Sequence, residues 1–159
     1  KLATQIPNIL AGTSRFMLPV GMLVGIIAMV SAWYFIPGSE LFKAPYSHGG
    51  WGLFVAALGL AMYAKRQFDH VGTSVRPFTK TTDLVMSGPF KFSRNPMYLA
   101  MVIGLISVGV ILGKIAPFVV VPLFIMWIRK CFIDYEEQLL ETYFGNTYRE
   151  YKSCVRRWF

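Results

Sequence analysis

The chain has 159 residues, of which 55% are hydrophobic and 15% are charged, and its formal net charge is +8. Soluble domains usually have about 45–50% apolar and about 25% charged residues, so this composition argues against an ordinary soluble enzyme and favours a single membrane domain, residues 1–159. The cations are concentrated in particular connections rather than spread along the chain, which argues against a nucleic-acid-binding protein.

Four apolar blocks predict four transmembrane helices and therefore an all-α, polytopic membrane fold. The first three blocks are residues 16–36, 44–64 and 95–113, each close to the roughly 20 residues that cross a bilayer. The fourth block, residues 115–128, is short and contains two prolines. Its helix reaches full length only if it continues to Ile133.

The residues after the fourth block predict cytoplasmic helices. Residues 134–144 form one helix in this interpretation, and Gly145 suits its C-terminal cap. Residues 147–150 have the spacing of a capping box, which starts a last short helix. The basic and aromatic end of the chain, residues 156–159, is expected at the headgroup boundary.

The distribution of Lys and Arg predicts how the helices are oriented. The long connection 65–94 and the tail after residue 128 hold most of the cations, while the connections at 37–43 and 114 hold few. Cytoplasmic loops are enriched in Lys and Arg, so we expect both termini and the long connection in the cytoplasm. We expect the membrane to be a prokaryotic inner membrane or an endoplasmic-reticulum equivalent. The many apolar residues of 65–94 predict that this connection folds back onto the membrane face or the tail.

The start of the third block predicts a place where an anion can bind. Asn95 is a good helix-capping residue, and Pro96 suits the first helical position because its missing N–H costs nothing there. Several unpaired N–H groups therefore collect near residues 95–98, at the positive end of the helix dipole. A purely structural helix start is the alternative.

Two adjacent acids follow the fourth block. Glu136 shares its predicted helix face with Leu139, Leu140 and Tyr143, and a carboxylate among apolar neighbours needs a partner. That partner is a cationic small molecule or one of the cations Arg94 and Arg129. For most acids near a span the alternative is a solvated helix surface.

The sequence predicts no metal site. His48 and His70 lack metal-ligand spacing with cysteines or acids, and Cys131 and Cys154 match no metal-binding pattern. Because both cysteines are expected on the cytoplasmic side, we expect them to be reduced thiols.

Two motifs resemble the C-terminal signature of integral-membrane methyltransferases. The first is Gly-Pro-Phe-Lys-Phe-Ser-Arg-Asn-Pro-Met-Tyr at residues 88–98, and the second comprises residues 136–140 and 144–151. That family includes the isoprenylcysteine carboxyl methyltransferases and the phospholipid N-methyltransferases. The resemblance covers about residues 65–157, so this region is expected to hold the cofactor pocket.

The resemblance implies S-adenosylmethionine as the methyl donor and a lipidic or hydrophobic acceptor that enters from the bilayer. Arg94 and Glu137 are expected to act in catalysis, although Arg94 either orients the acceptor or simply pairs with Glu137. The residues expected to bind the cofactor are Thr82, Asp83, Leu84, Val85, Phe90, Asn95, Pro96, Met97, Tyr98 and Glu136.

The chemistry of the donor agrees with this resemblance. Glu136 suits its ammonium group and the N–H groups at the start of the third block suit its carboxylate, as charge-assisted hydrogen bonds. One departure concerns the acceptor: Phe132 stands where prenylcysteine methyltransferases carry an Arg implicated in substrate binding. This difference favours another lipid or hydrophobic acceptor.

Two alternatives remain open from the sequence. Sterol-type membrane reductases share a related C-terminal architecture and use NADPH. A non-catalytic scaffold would use the small residues Gly21, Gly25, Ala28 and Ala32 for close helix packing, which internal packing explains equally. The sequence leaves the oligomeric state unknown.

Overall fold

The computed structural model of the protein describes the backbone of residues 6–71 and 84–158, and the side chains of 17–67, 69–70 and 84–158. Over these ranges the fold is all-α, as predicted, with no strand among the described elements. The five α-helices are α1 (Ile6–Phe35), α2 (Gly49–Val71), α3 (Pro96–Leu112), α4 (Val120–Ile128) and α5 (Asp134–Cys154). Short 3-10 helices cover Tyr46–His48, Gly88–Lys91 and Ala116–Val119, and a π-helical segment covers Arg129–Ile133.

From Met17 to Phe35, where its side chains are described, helix α1 presents most of its apolar surface outward. Its segment Met17–Phe35 is long and apolar enough to cross a membrane, close to the predicted span 16–36. Two of the small residues pack inside the molecule: a Cβ atom at Gly21 would overlap the ring of Trp127, and one at Gly25 would lie 3.5 Å from Leu105. Ala28 is exposed. These two glycines therefore serve helix packing within the chain.

The C-terminal half is a nearly continuous helical run. The predicted fourth span and the predicted cytoplasmic helix join through the π-helical segment into one apolar-to-polar run, Ala116–Cys154, of 39 residues. The run bends at Gly145, whose φ of 51° and ψ of −120° are strongly disfavoured for residues with a Cβ. The predicted helix end at Gly145 is confirmed, and the fourth block continues through Ile133, as its length required.

The predicted count of four spanning helices is only partly supported. Two described helices, Met17–Phe35 and Ala116–Cys154, have the length and composition to cross a membrane. Helix α3 is apolar but has 17 residues, which is at the short limit for crossing. Helix α2 begins at Gly49 rather than at residue 44 and ends beyond Lys65 and Arg66, so a shorter uncharged stretch remains than the sequence suggested.

The helices pack around α3. Helix α2 lies along one side of α3, and α1 and α4 lie against the other, around the buried side chains of Met29, Leu105 and Phe124. Residues 36–48 meet residues 113–119 at one end of the bundle, which we call the Gly113 end. Residues 84–95 meet residues 134–158 at the opposite end, which we call the Glu137 end.

Candidate functional site

The segment that leads into α3 is held against α2. Val85 and Phe90 are buried together with Ala64 of α2. The Ser87 hydroxyl donates a hydrogen bond to Gln67 Oε1 at 2.9 Å, one helical turn further along α2. This part of the long connection therefore folds back onto the bundle, as its apolar residues predict.

The start of α3 is built differently from the predicted cap. Asn95 and Pro96 occupy the predicted positions, but the Asn95 side chain makes no capping hydrogen bond. Its Nδ2 instead donates to the carbonyl oxygen of Arg157 at 3.3 Å, and the Ser93 hydroxyl donates to the same carbonyl at 3.2 Å. The Asn95 side chain therefore binds the C-terminal tail instead of capping its own helix.

Glu137 lies at the centre of a buried ion-pair cluster. Glu137 is only 5% exposed to solvent. Arg94 Nη2 lies 3.2 Å from Oε1, and Arg157 binds both carboxylate oxygens, with Nε 3.1 Å from Oε1 and Nη2 2.7 Å from Oε2. Arg157 Nη1 also lies 2.9 Å from Asp134 Oδ1. The hydrogen bond from Arg157 to Glu137 raises the pKa of the guanidinium above its usual range, so Arg157 stays charged.

Glu136 has a different environment from its neighbour. The residue is half-buried, but its carboxylate lies among protein atoms and accepts a hydrogen bond from the Tyr98 hydroxyl on α3. Among the described residues no Lys or Arg lies within ion-pair distance of it. Adjacent helical residues point about 100° apart, which lets one acid meet the arginines while the other meets Tyr98.

Arg94 links three parts of this end. Its Nη2 pairs with Glu137, its Nη1 donates to the Lys152 carbonyl oxygen at 3.1 Å, and its backbone N–H donates to the Arg156 carbonyl oxygen at 3.0 Å. Its buried Nε finds no acceptor within the described part of the chain. Of the two sequence alternatives for Arg94, the structure contains the pairing with Glu137.

The predicted cofactor-binding residues fall into two neighbouring groups. Val85, Phe90 and Met97 pack together on the α2 side, and Tyr98 with Glu136 lies on the α5 side. Asn95 and Pro96 are buried between the two motifs, and Leu84 is half-buried. Thr82 and Asp83 lie outside the described residues.

The tail is the part of this end that sequence reasoning missed. Arg157 joins the ion-pair cluster, and Trp158 packs against the main core, where the sequence suggested only a headgroup contact. The Tyr151 hydroxyl also donates to the Phe90 carbonyl oxygen at 2.6 Å. The sequence did contain one indication of this contact: Asp134 and Glu137 are three residues apart on one helix, so their carboxylates lie on the same face and can bind a cation together.

An aromatic wall borders Tyr98. The Phe132 ring centroid lies 6.4 Å from that of Tyr98 and 5.3 Å from that of Trp127, and the Phe132 residue is only 1% exposed. The position where the prenylcysteine enzymes carry an Arg is therefore part of an apolar core in this chain.

Comparison with known proteins agrees with the two sequence motifs. Residues 46–147 match the family model described as phospholipid methyltransferase, a range that contains α2, α3 and both adjacent acids. A Haemophilus influenzae protein described as uncharacterized is 40% identical over 62 residues, which are 39% of this chain and 98% of that protein. No solved structure matches the chain.

Proposed function

Because the chain belongs to the phospholipid methyltransferase family, we propose that it transfers a methyl group from S-adenosylmethionine to a lipidic or hydrophobic acceptor at the Glu137 end. The ligand contacts in this proposal come from residues 82–98 and from Glu136 in the first turn of α5. This end faces the cytoplasm in our proposal, with both termini on the same side and four helices in the bilayer.

The contrast between the two adjacent acids carries this proposal. Glu137 has two arginine partners, whereas Glu136 has a phenol partner and, among the described residues, no Lys or Arg at ion-pair distance. A desolvated carboxylate gains most from a cationic partner. The ammonium group of S-adenosylmethionine fits this requirement, and Glu136 would accept its hydrogen bonds.

The start of α3 suits the other end of the cofactor's amino acid group. Tyr98, which binds the Glu136 carboxylate, lies in the first turn of α3, where backbone N–H groups and the helix dipole favour an anion. A zwitterion placed here would have its carboxylate at the helix start and its ammonium at Glu136. When bound, S-adenosylmethionine supplies an electrophilic methyl group on a sulfonium centre.

The surroundings favour a hydrophobic acceptor over a carboxylate. Phe132 supplies an apolar ring near Tyr98 where the prenylcysteine enzymes have a cation. Arg94 has both terminal nitrogens engaged, and only its Nε is left without an acceptor in the described ranges. In our proposal Arg94 therefore contributes to acceptor orientation through its hold on Glu137.

The replacement Glu136→Gln tests the cofactor site. Charge-assisted hydrogen bonds contribute about 1.5–3 kcal/mol, so we expect S-adenosylhomocysteine to bind roughly ten- to a hundredfold more weakly. Calorimetry on the purified protein in detergent measures this affinity. Glu150→Gln removes an exposed acid of the same helix and should leave the affinity unchanged. Equal affinities for wild type and Glu136→Gln would contradict the proposal.

The acceptor is identified by incubating the protein with labelled S-adenosylmethionine and a native lipid extract. We expect the label in a lipid fraction. A thermal-shift comparison of S-adenosylhomocysteine and NADPH separates methyl transfer from a reductase activity, because the proposal requires protection by the first compound. Protection by NADPH alone would overturn it.

A further inference from the structure

We propose that Arg157 is a positioning residue for the proposed methyl transfer, holding α5 and the start of α3 at the separation that the cofactor requires. This inference rests on the proposed function above. Arg157 lies ten residues beyond the end of the range that the family model matches, residues 46–147. Nothing in the two sequence motifs assigns it a role.

Arg157 connects the two halves of the site through different atoms. Its guanidinium binds Glu137 at 2.7 Å and 3.1 Å and Asp134 at 2.9 Å, which fixes it to the first turn of α5. Its carbonyl oxygen accepts hydrogen bonds from Ser93 and Asn95, immediately before α3. One residue therefore sets the distance between the helix that carries Glu136 and the helix that carries Tyr98.

The guanidinium also balances the charge of the cluster, in which the side chains of Arg94 and Glu137 are buried and that of Asp134 is 41% exposed. Arg94 and Arg157 contribute +2, and Asp134 and Glu137 contribute −2, so the cluster is neutral with Arg157 present. Without Arg157 the cluster carries a net charge of −1, and Glu137 keeps one partner for two oxygens. Glu137 then competes with Glu136 for a cationic ligand, so the ligand can bind at either carboxylate.

The fixed helix separation and the charge balance both affect ligand binding indirectly, through Glu136. Arg157 does not need to touch the cofactor, because its hydrogen bonds define where Glu136 and the α3 N–H groups lie relative to each other. A zwitterionic ligand needs both groups at one fixed separation. We therefore expect an effect on affinity in addition to any effect on stability.

Arg157→Gln tests this inference with S-adenosylhomocysteine as the probe. We expect its dissociation constant to rise about tenfold, the size of one charge-assisted hydrogen bond, measured by calorimetry on the folded protein in detergent. Arg157→Lys keeps the charge but loses the two-pronged geometry, so its dissociation constant should lie between those of wild type and Arg157→Gln. It also keeps the test valid if Arg157→Gln fails to fold.

Arg149→Gln is the matched control. It removes another Arg–Glu pair of α5, between Arg149 and Glu141, with the Arg149 side chain 64% exposed. We expect it to leave the dissociation constant unchanged. Lower melting temperatures for the Arg157 variants with wild-type affinity would make Arg157 purely structural and overturn the inference. Failure of wild type to bind S-adenosylhomocysteine would instead overturn the proposed function and the inference together.

Discussion

At the Gly113 end the bundle is closed by backbone hydrogen bonds, whereas at the Glu137 end it is closed by charged side chains. The Gly113 carbonyl oxygen accepts from the backbone N–H groups of Leu41 at 2.7 Å and Phe42 at 3.0 Å. Lys114 Nζ donates to the Trp33 carbonyl oxygen at 2.9 Å and lies over the Trp33 ring. At the opposite end, ion pairs between two arginines and two acids hold the helices together.

The two ends of the bundle differ in whether they can bind a charged ligand. Backbone hydrogen bonds close the Gly113 end with few charges to offer a ligand. Buried charges at the Glu137 end cost desolvation, and their net effect on stability is small when they are paired. They do provide fixed positions for charge, which is what a zwitterionic cofactor needs. The proposed site therefore lies at the end of the bundle where more charge has been removed from water.

The largest expected effect on stability comes from Glu137→Ala. This change leaves Arg94 and Arg157 without their shared carboxylate, and removal of one partner of a buried pair costs about 3–5 kcal/mol. Denaturant unfolding in detergent measures the loss. The control Glu40→Ala breaks an exposed pair with Lys43 at the Gly113 end, for which about 1 kcal/mol is an upper value. Equal losses would mean that the two ends are held in the same way.

A smaller loss is expected for Gly113→Ala. Gly113 has a φ of 74°, and a Cβ there would lie 2.6 Å from the Phe42 carbonyl oxygen. Backbone strain of this kind costs about 1–3 kcal/mol, and the Phe42 carbonyl must also move. Gly38→Ala, in the connection between α1 and α2 at the same end of the bundle, meets open space and is the control. A melting temperature equal to that of Gly38→Ala would show that backbone closure contributes little at this end.

The smallest effect is expected for Glu141→Gln. Glu141 pairs with Arg149 at 2.9 Å and Lys152 at 3.5 Å, but both cations are well exposed. Solvent and salt screen such pairs, so the melting temperature should stay within the scatter of replicates. A loss comparable to that of Glu137→Ala would show that the exposed pairs, rather than the buried cluster, hold the Glu137 end together.

The sequence predicted the elements whose signals are local. The apolar runs located α3 to within one residue at each end, but α1 begins at Ile6, ten residues before the predicted first block. Gly145 marked a real bend because its conformation requires glycine. The start of α2 was misplaced because the apolar run continues through Pro45, while the helix begins only after the 3-10 turn at Tyr46–His48. Hydrophobicity alone does not report where a helix starts.

The candidate site was predictable only in its motifs. The two acids and the start of α3 could be read from the sequence because each is a short pattern. The contacts of Arg157 join residues 20 and 62 positions apart in the chain, to Glu137 and Asn95, and no local rule reports such distances. Asn95 shows the limit most clearly, since its side chain binds the tail instead of capping its own helix.

The π-helical segment Arg129–Ile133 determines the direction in which each side chain of α5 points. A π-bulge places one additional residue in a turn, and one residue corresponds to about 100° around a helix. Without that additional residue, Tyr135 would take the direction in which Glu136 now points, and Glu136 would take the direction of Glu137. The same sequence wound as a regular α-helix would therefore direct Glu136 toward the arginines and Tyr135 toward Tyr98, although no residue of the site had changed.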